Sequence, residues 1–243
     1  MATALILAGG RGVRIGGHKA AVELGGAPLL QWVVDAVETV ADTIMFSIAP
    51  EQQLPPVRCR ARAFLCEDLL PGRGPLTGIF SGLQATEDEH VLVVPCDAPF
   101  LQPELLKMLW SYRHRYDAVV PVVDDHYQTL VAVYGRSCIR PMEIALNSGD
   151  LSMRSVLSGL DVRYVSEQEL RAADPELRSF RNVNSTAELA EAEKALMAAS
   201  SSIRLLVVSD SQPLRSSAVP VAGLTSAKAH APSPGLPRQP PSV

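Results

Sequence analysis

The sequence predicts an α/β domain on a mostly parallel sheet, and three observations predict it. Short apolar runs alternate with segments of helical periodicity. The first run passes straight into a glycine-rich loop. Three polar, turn-rich segments, 9–19, 67–77 and 96–100, follow apolar runs, which puts them at the carboxyl ends of strands, where sheets of this kind bind ligands.

Taken in order, Ala4 to Ala8 reads as a buried strand and Gly9 to about Lys19 as its loop. In PLLQWVVDAVETVA, residues Leu29, Leu30, Val33, Val34, Val37 and Val40 recur at helical spacing, and Pro28 suits a helix start, so a helix of three to four turns is expected. Strands follow at Thr43 to Ile48, Ala63 to Leu65, His90 to Val94 and Ala118 to Val122, with helices at Leu76 to Ala85 and Pro103 to Arg113. Gln128 to Tyr134 reads as one more strand, with an antiparallel orientation open to it, and helices are expected at Ser137 to Leu146 and Ser152 to Leu157. Ser185 stands three residues before Glu188, a capping-box pattern that opens a helix running to about Ala198. From there the composition shifts to proline, serine and alanine, so residues 199–243 are expected to form a disordered tail, with Ile203 to Val208 as an added strand or a docking patch.

Composition narrows the function. A formal charge of −4 and a pI near 5.8, with no basic stripe interleaved with aromatics, argue against a nucleic-acid partner. No apolar run approaches the roughly 18 residues of a membrane span, and the N-terminus lacks the basic lead of a secretory signal, so a soluble cytoplasmic protein is expected. The four cysteines, Cys59, Cys66, Cys96 and Cys138, show no metal or disulfide spacing and are expected to be reduced thiols. His18, His90, His114, His126 and His230 are isolated, and neither HExxH nor GxSxG occurs.

The chemistry concentrates in LAGGRGVRIGGHK. Gly9, Gly10, Gly12, Gly16 and Gly17 let backbone approach a polyphosphate closely, and Arg11, Arg14 and Lys19 add cations. Lysine is scarce, four residues against eighteen arginines, so Lys19 stands out before any motif is invoked. A P-loop is excluded because His18 separates Gly17 from Lys19 and Ala20 follows, and Ile15 breaks the dinucleotide fingerprint. In VLVVPCDAPFL, Asp97 follows a buried strand, where a carboxylate can hold Mg²⁺. The segment CEDLLPGRGPLTG, with Asp68, Arg73, Gly74, Pro75 and Gly78, is rich enough in turn formers to be a ligand-contacting loop.

Together, LAGGRGVRIGGHKA, GPLTGIFSGL, VVPCDAPFL, QTLVAVY and RNVNSTAEL resemble the molybdenum cofactor guanylyltransferases over roughly residues 4–198. That resemblance implies a three-layer α/β/α Rossmann-like nucleotidyltransferase fold over residues 1–198, and transfer of GMP from GTP to molybdopterin with release of pyrophosphate. It implies that Leu7, Ala8, Gly9 and Gly10 wrap the nucleotide, that Arg14 and Lys19 face its phosphates, and that Ser47 and Asp68 make guanine and ribose contacts. Asp97 matches the metal-binding aspartate, with Mg²⁺ as cofactor, and Lys19, Arg14 and Asp97 are the expected catalytic set. Contacts with molybdoenzymes or with other cofactor-biosynthesis proteins are further expected partners. GGHK is one residue shorter than the family's usual GGxDK, and Ser47 replaces an asparagine. Two alternatives stay open: a cytidylyltransferase acting on molybdopterin or a nucleotidyltransferase acting on another small phosphate, and a non-catalytic module that senses a nucleotide or delivers a cofactor.

Overall fold

Along β1 (Thr3–Leu7), Ala4 and Ile6 enter one buried cluster while Leu5 and Leu7 enter another, the period of two that buries a strand on both faces. The same split recurs in β2 (Thr43–Ile48), where Ile44, Phe46 and Ile48 face the first cluster and Met45 the second. It recurs again in β4 (His90–Pro95), with Leu92 and Val94 against Val91 and Val93. Helices α1 (Leu29–Val37), α3 (Pro103–Ser111) and α6 (Glu167–Ala173) cover the first face. Helices α2 (Pro75–Gln84), α4 (Ile139–Ser148) and α5 (Met153–Leu157) cover the second. The result is three layers, as expected from the sequence.

The computed structural model describes residues 2–9, 11–12, 17–70 and 72–204, with backbone alone at 11–12, 17–18 and 199–204. Gly10, Arg14 and the chain from Leu205 onward lie outside the described residues. Besides the strands above, the sheet contains β3 (Arg62–Glu67), β5 (Ala118–Val123), β6 (His126–Tyr127), β7 (Ala132–Gly135) and β8 (Val162–Val165). Its path runs β6-β5-β7-β4-β1-β2-β3, with β8 also paired to β5. The pairs β4·β1, β1·β2, β2·β3 and β5·β8 are parallel, whereas β7 is antiparallel to both β4 and β5.

Several elements differ from the sequence reading. Gln128 to Tyr134 is not one strand: β6 ends at Tyr127, a turn intervenes, and β7 begins at Ala132, antiparallel. Helix α1 stops at Val37, short of the three to four turns expected, because residues 38–40 close as a turn. The segment between β1 and Lys19 contains a short ribbon, Arg11 paired with His18 and Gly12 with Gly17. β8 and α6 were not foreseen; α6 has seven residues and buries only Leu170, too short for a helical apolar period to register. α7 (Thr186–Arg204) outruns its expected end at Ala198, so Ile203 and Arg204 are helical rather than the start of a strand.

Helix α2 sits unusually close to the sheet, and its glycines permit it. A Cβ at Gly82 would lie 2.4 and 2.8 Å from the δ-carbons of Leu5, and one at Gly78 would lie 2.8 Å from Ser47 Oγ. Gly82→Ala should therefore destabilise the fold by about 1–2 kcal/mol, overpacking outweighing alanine's better helix propensity. Gly159→Ala, where a Cβ meets nothing within 4 Å, is the control in urea unfolding. Equal midpoints for the two variants would remove this account of the helix's approach.

Candidate functional site

Because β4, β1, β2 and β3 are parallel neighbours, their carboxyl ends share one edge, and the loops that follow them are brought into a row. In spatial order the row reads Asp97 beyond β4, Ala8 and Gly9 beyond β1, Ser47 near the end of β2, and Asp68 beyond β3. Three strand intervals separate its ends, roughly 14 Å at about 4.8 Å each. The row thus has one end built around a cation and another built around a carboxylate.

At the first end, Lys19 opens a short 3-10 turn, Lys19–Ala21, immediately after the ribbon. Its Nζ lies 2.6 Å from Asp97 Oδ2 and also donates to Asn184 Oδ1. The aspartate side chain is only 9% exposed and the lysine 29%, so the pair sits where charge is poorly screened, and removing either partner would strand the other. Asp97 is held from behind as well, since its carbonyl accepts the Val183 amide at 2.8 Å. Asn184 is positioned by the start of α7: Ser185 Oγ accepts the Glu188 amide at 3.2 Å, and Glu188 Oε2 accepts the Asn184 amide at 2.6 Å. The capping pattern read from the sequence is thus half as expected. The Ser185 half forms, while the glutamate reaches one residue further back and fixes the backbone of Asn184 beside Lys19.

In the middle of the row, the Ser47 carbonyl accepts the amides of both Ala8 and Gly9 at 2.9 Å, tying the start of the glycine loop to β2. Gln52 braces the same turn, its Nε2 donating to the Ala8 carbonyl at 2.7 Å and its Oε1 accepting the Ala49 amide at 3.1 Å. Leu7 is buried, with its side chain in the core, and Gly9 is exposed.

At the far end, Asp68 donates its amide to the Ile48 carbonyl at 2.9 Å, which fixes its backbone at the tip of β2. Its carboxylate accepts the Leu70 amide at 3.1 Å and the Thr77 hydroxyl at 2.7 Å. The loop after Asp68 is anchored twice more, by Leu69 N donating to Ser81 Oγ at 3.0 Å and by Arg73 Nη1 donating to the Leu146 carbonyl at 3.2 Å. It enters α2 through Gly74, whose φ of 82° and ψ of −170° lie in a region open essentially to glycine alone.

Two buried thiols flank the row. Burial pushes Cys66 up to about 11, with the charges of Asp68 and Glu67 adding to it. Cys96 is pushed up to about 12 by burial and by Asp97, with Lys19 opposing. Burial thus disfavours the thiolate at both positions, the form in which a cysteine is reactive. Among the described residues no group of three or more His, Cys, Asp and Glu is placed to hold a metal ion. A lone, buried carboxylate at a strand tip still fits magnesium, which takes one or two protein carboxylates and fills its octahedron with water and phosphate oxygens.

The structure therefore gathers Ala8, Gly9, Lys19, Ser47, Asp68 and Asp97 on one edge, with Leu7 in the core beneath them. Asn184 and Gln52 were missed by the sequence reading. RNVNSTAEL was read for its helix start, yet the same cap delivers Asn184 to Lys19 across 165 positions of chain.

The family model for the MobA-like NTP transferase domain matches residues 4–168. A molybdenum cofactor guanylyltransferase from Desulfosudis oleivorans is 37% identical over 199 residues, covering 81% of this chain and 96% of that protein. The crystal structure of molybdopterin-guanine dinucleotide biosynthesis protein A from Archaeoglobus fulgidus superimposes with a TM-score of 0.67 at 28% identity, over 81% of this chain and 99% of that one. A Thermus thermophilus 2-C-methyl-D-erythritol 4-phosphate cytidylyltransferase shares the fold, with a TM-score of 0.62 at 20% identity over 81% of this chain and 100% of that one.

Proposed function

This chain belongs to the MobA-like NTP transferase family, and on that premise we propose that it transfers GMP from GTP to the molybdopterin form of the molybdenum cofactor, releasing pyrophosphate. The observation that carries the reading is the Lys19–Asp97–Asn184 cluster beside the glycine loop, a charged constellation at the carboxyl edge of a parallel sheet.

The terminal phosphate of molybdopterin attacks the α-phosphorus of GTP; a P–O bond forms there as the bond to the β-phosphate oxygen breaks, and pyrophosphate departs. A phosphate nucleophile is already ionised near neutral pH, so no general base is required. The chain's task is to position two anions and offset their charge. Lys19 neutralises charge on the departing pyrophosphate, joined by Arg14 from the glycine loop. Asn184, which accepts from the same ammonium, helps hold it in place. Asp97 would hold Mg²⁺, whose contribution is to neutralise the triphosphate. Leu7, Ala8, Gly9 and Gly10 would line the nucleotide along β1, and Ser47 and Asp68 would meet its base and ribose at the far end. The same edge suits contacts with a molybdoenzyme or another cofactor-handling protein, which must reach the product.

Melting curves in the presence of nucleotide test the choice of base. At a hundredfold excess over Kd, a bound nucleotide adds about 2.7 kcal/mol. For a domain of this size that is roughly a 5–10 °C rise. GTP with Mg²⁺ is expected to give this shift and CTP at equal concentration much less. A larger shift with CTP would transfer the assignment to a cytidylyl donor. No pyrophosphate release from GTP with molybdopterin, despite tight GTP binding, would leave a binding module instead.

A further inference from the structure

We infer that Thr77 is a positioning residue for base selection: its hydroxyl holds the Asp68 carboxylate in the orientation that receives the two adjacent N–H donors of guanine. The inference rests on the reading above in which Ser47 and Asp68 meet the base and the ribose between them, and it gives Asp68 the base.

A carboxylate offers about four lone-pair sites, two on each oxygen. Here one site on each oxygen is already taken, by the Leu70 amide on Oδ1 and by the Thr77 hydroxyl on Oδ2. One acceptor site per oxygen remains, the number that two adjacent N–H donors require. Guanine presents that pair, N1–H beside the 2-amino group. Cytosine and adenine present a donor next to an acceptor, so one carboxylate oxygen would face a lone pair.

Thr77 is suited to set this arrangement. It is fully buried at the third position of α2, where a threonine's χ1 is confined to two rotamers. Its single proton has two acceptors in range, Asp68 Oδ2 at 2.7 Å and the Gly74 carbonyl at 2.8 Å, and the ionised group is the stronger. The helix that carries it is pressed onto β1 and β2 through Gly78 and Gly82, so the hydroxyl is referenced to the strands that position the rest of the site. Asp68 itself is half-exposed, which leaves the carboxylate accessible.

The test compares GTP with inosine triphosphate, which keeps N1–H and lacks the 2-amino group, as ligands of the full chain with Mg²⁺ present. Thr77→Val is expected to lower the GTP-over-ITP ratio of affinities by about tenfold, the scale of a hydrogen bond to a charged group, through weaker GTP binding. Thr77→Ser should restore the ratio to within about twofold, because it keeps the hydroxyl. A residue that merely supports the fold would lower melting temperature and weaken both nucleotides alike. If Thr77→Val keeps the wild-type ratio while Asp68→Asn collapses it, the assignment of Thr77 is overturned and the base contact stands. If Asp68→Asn keeps the ratio too, Asp68 does not read the base and both fall, while pyrophosphate release from GTP with molybdopterin still reports on the transferase reading. Should Thr77→Val not fold, Thr77→Ala read against Thr77→Ser carries the same comparison.

Discussion

Asp97→Asn should reduce pyrophosphate release from GTP and molybdopterin by about 10²–10³-fold, the range seen when one preorganised charge contact is removed from a reacting centre. Asn fills the same volume and can still accept a hydrogen bond from Lys19, so the fold at the tip of β4 should survive. What is lost is the negative charge, and with it the one buried carboxylate at the cation end of the row. A second readout separates this from a packing defect. In the wild type, adding Mg²⁺ to a GTP-bound sample should raise the melting temperature further, whereas in Asp97→Asn that increment should vanish while GTP alone still stabilises. Wild-type turnover at saturating Mg²⁺ would remove Asp97 from the reaction. An intact magnesium increment would move the metal site elsewhere.

How much of this site could be read from the sequence depends on whether a residue acts through its strand or through a distant contact. Asp97 was legible because four apolar residues, Val91 to Val94, and a proline-cysteine pair place it beyond a buried strand, and parallel strands send all such ends to one edge. Lys19 was legible from composition, since a chain this poor in lysine keeps one directly after its glycine loop. Asn184 was not, because its contact with Lys19 depends on where α7 docks. That docking is settled by a small separate cluster in which Leu24 and Leu29 pack on Val183 and Ala192, and no local pattern announces it. Thr77 and Gln52 belong to the same class, ordinary polar residues whose meaning appears only when α2 and the turn after β2 close on neighbouring loops. The misread strand has a local cause instead: Gln128 to Val131 looks extended in composition, yet the Val131 amide turns back to the Gln128 carbonyl at 3.2 Å and breaks the run.

Replacing Lys19 by Met should cost about 10²–10³-fold in turnover, with a smaller loss in GTP affinity, because charge on the leaving pyrophosphate grows most in the transition state. Lys19→Arg should rescue little of it, since a planar fork replaces a compact ammonium that must serve Asp97 and Asn184 together. Combining the changes gives the sharper test. If Lys19 and Asp97 work on the same triphosphate, the double variant Lys19→Met with Asp97→Asn should be about as slow as the slower single variant, as groups acting as a unit behave. Stability should respond in the opposite sense: each single change leaves one charge without its counter-charge in a poorly screened site, whereas the double change removes both. A urea-unfolding cycle is expected to show a favourable coupling of about 1–3 kcal/mol between the two positions. Turnover of Lys19→Met within twofold of the wild type would dismiss the lysine from catalysis. Strictly additive losses, in rate and in stability alike, would mean that the ion pair joining the glycine loop to β4 is incidental to both.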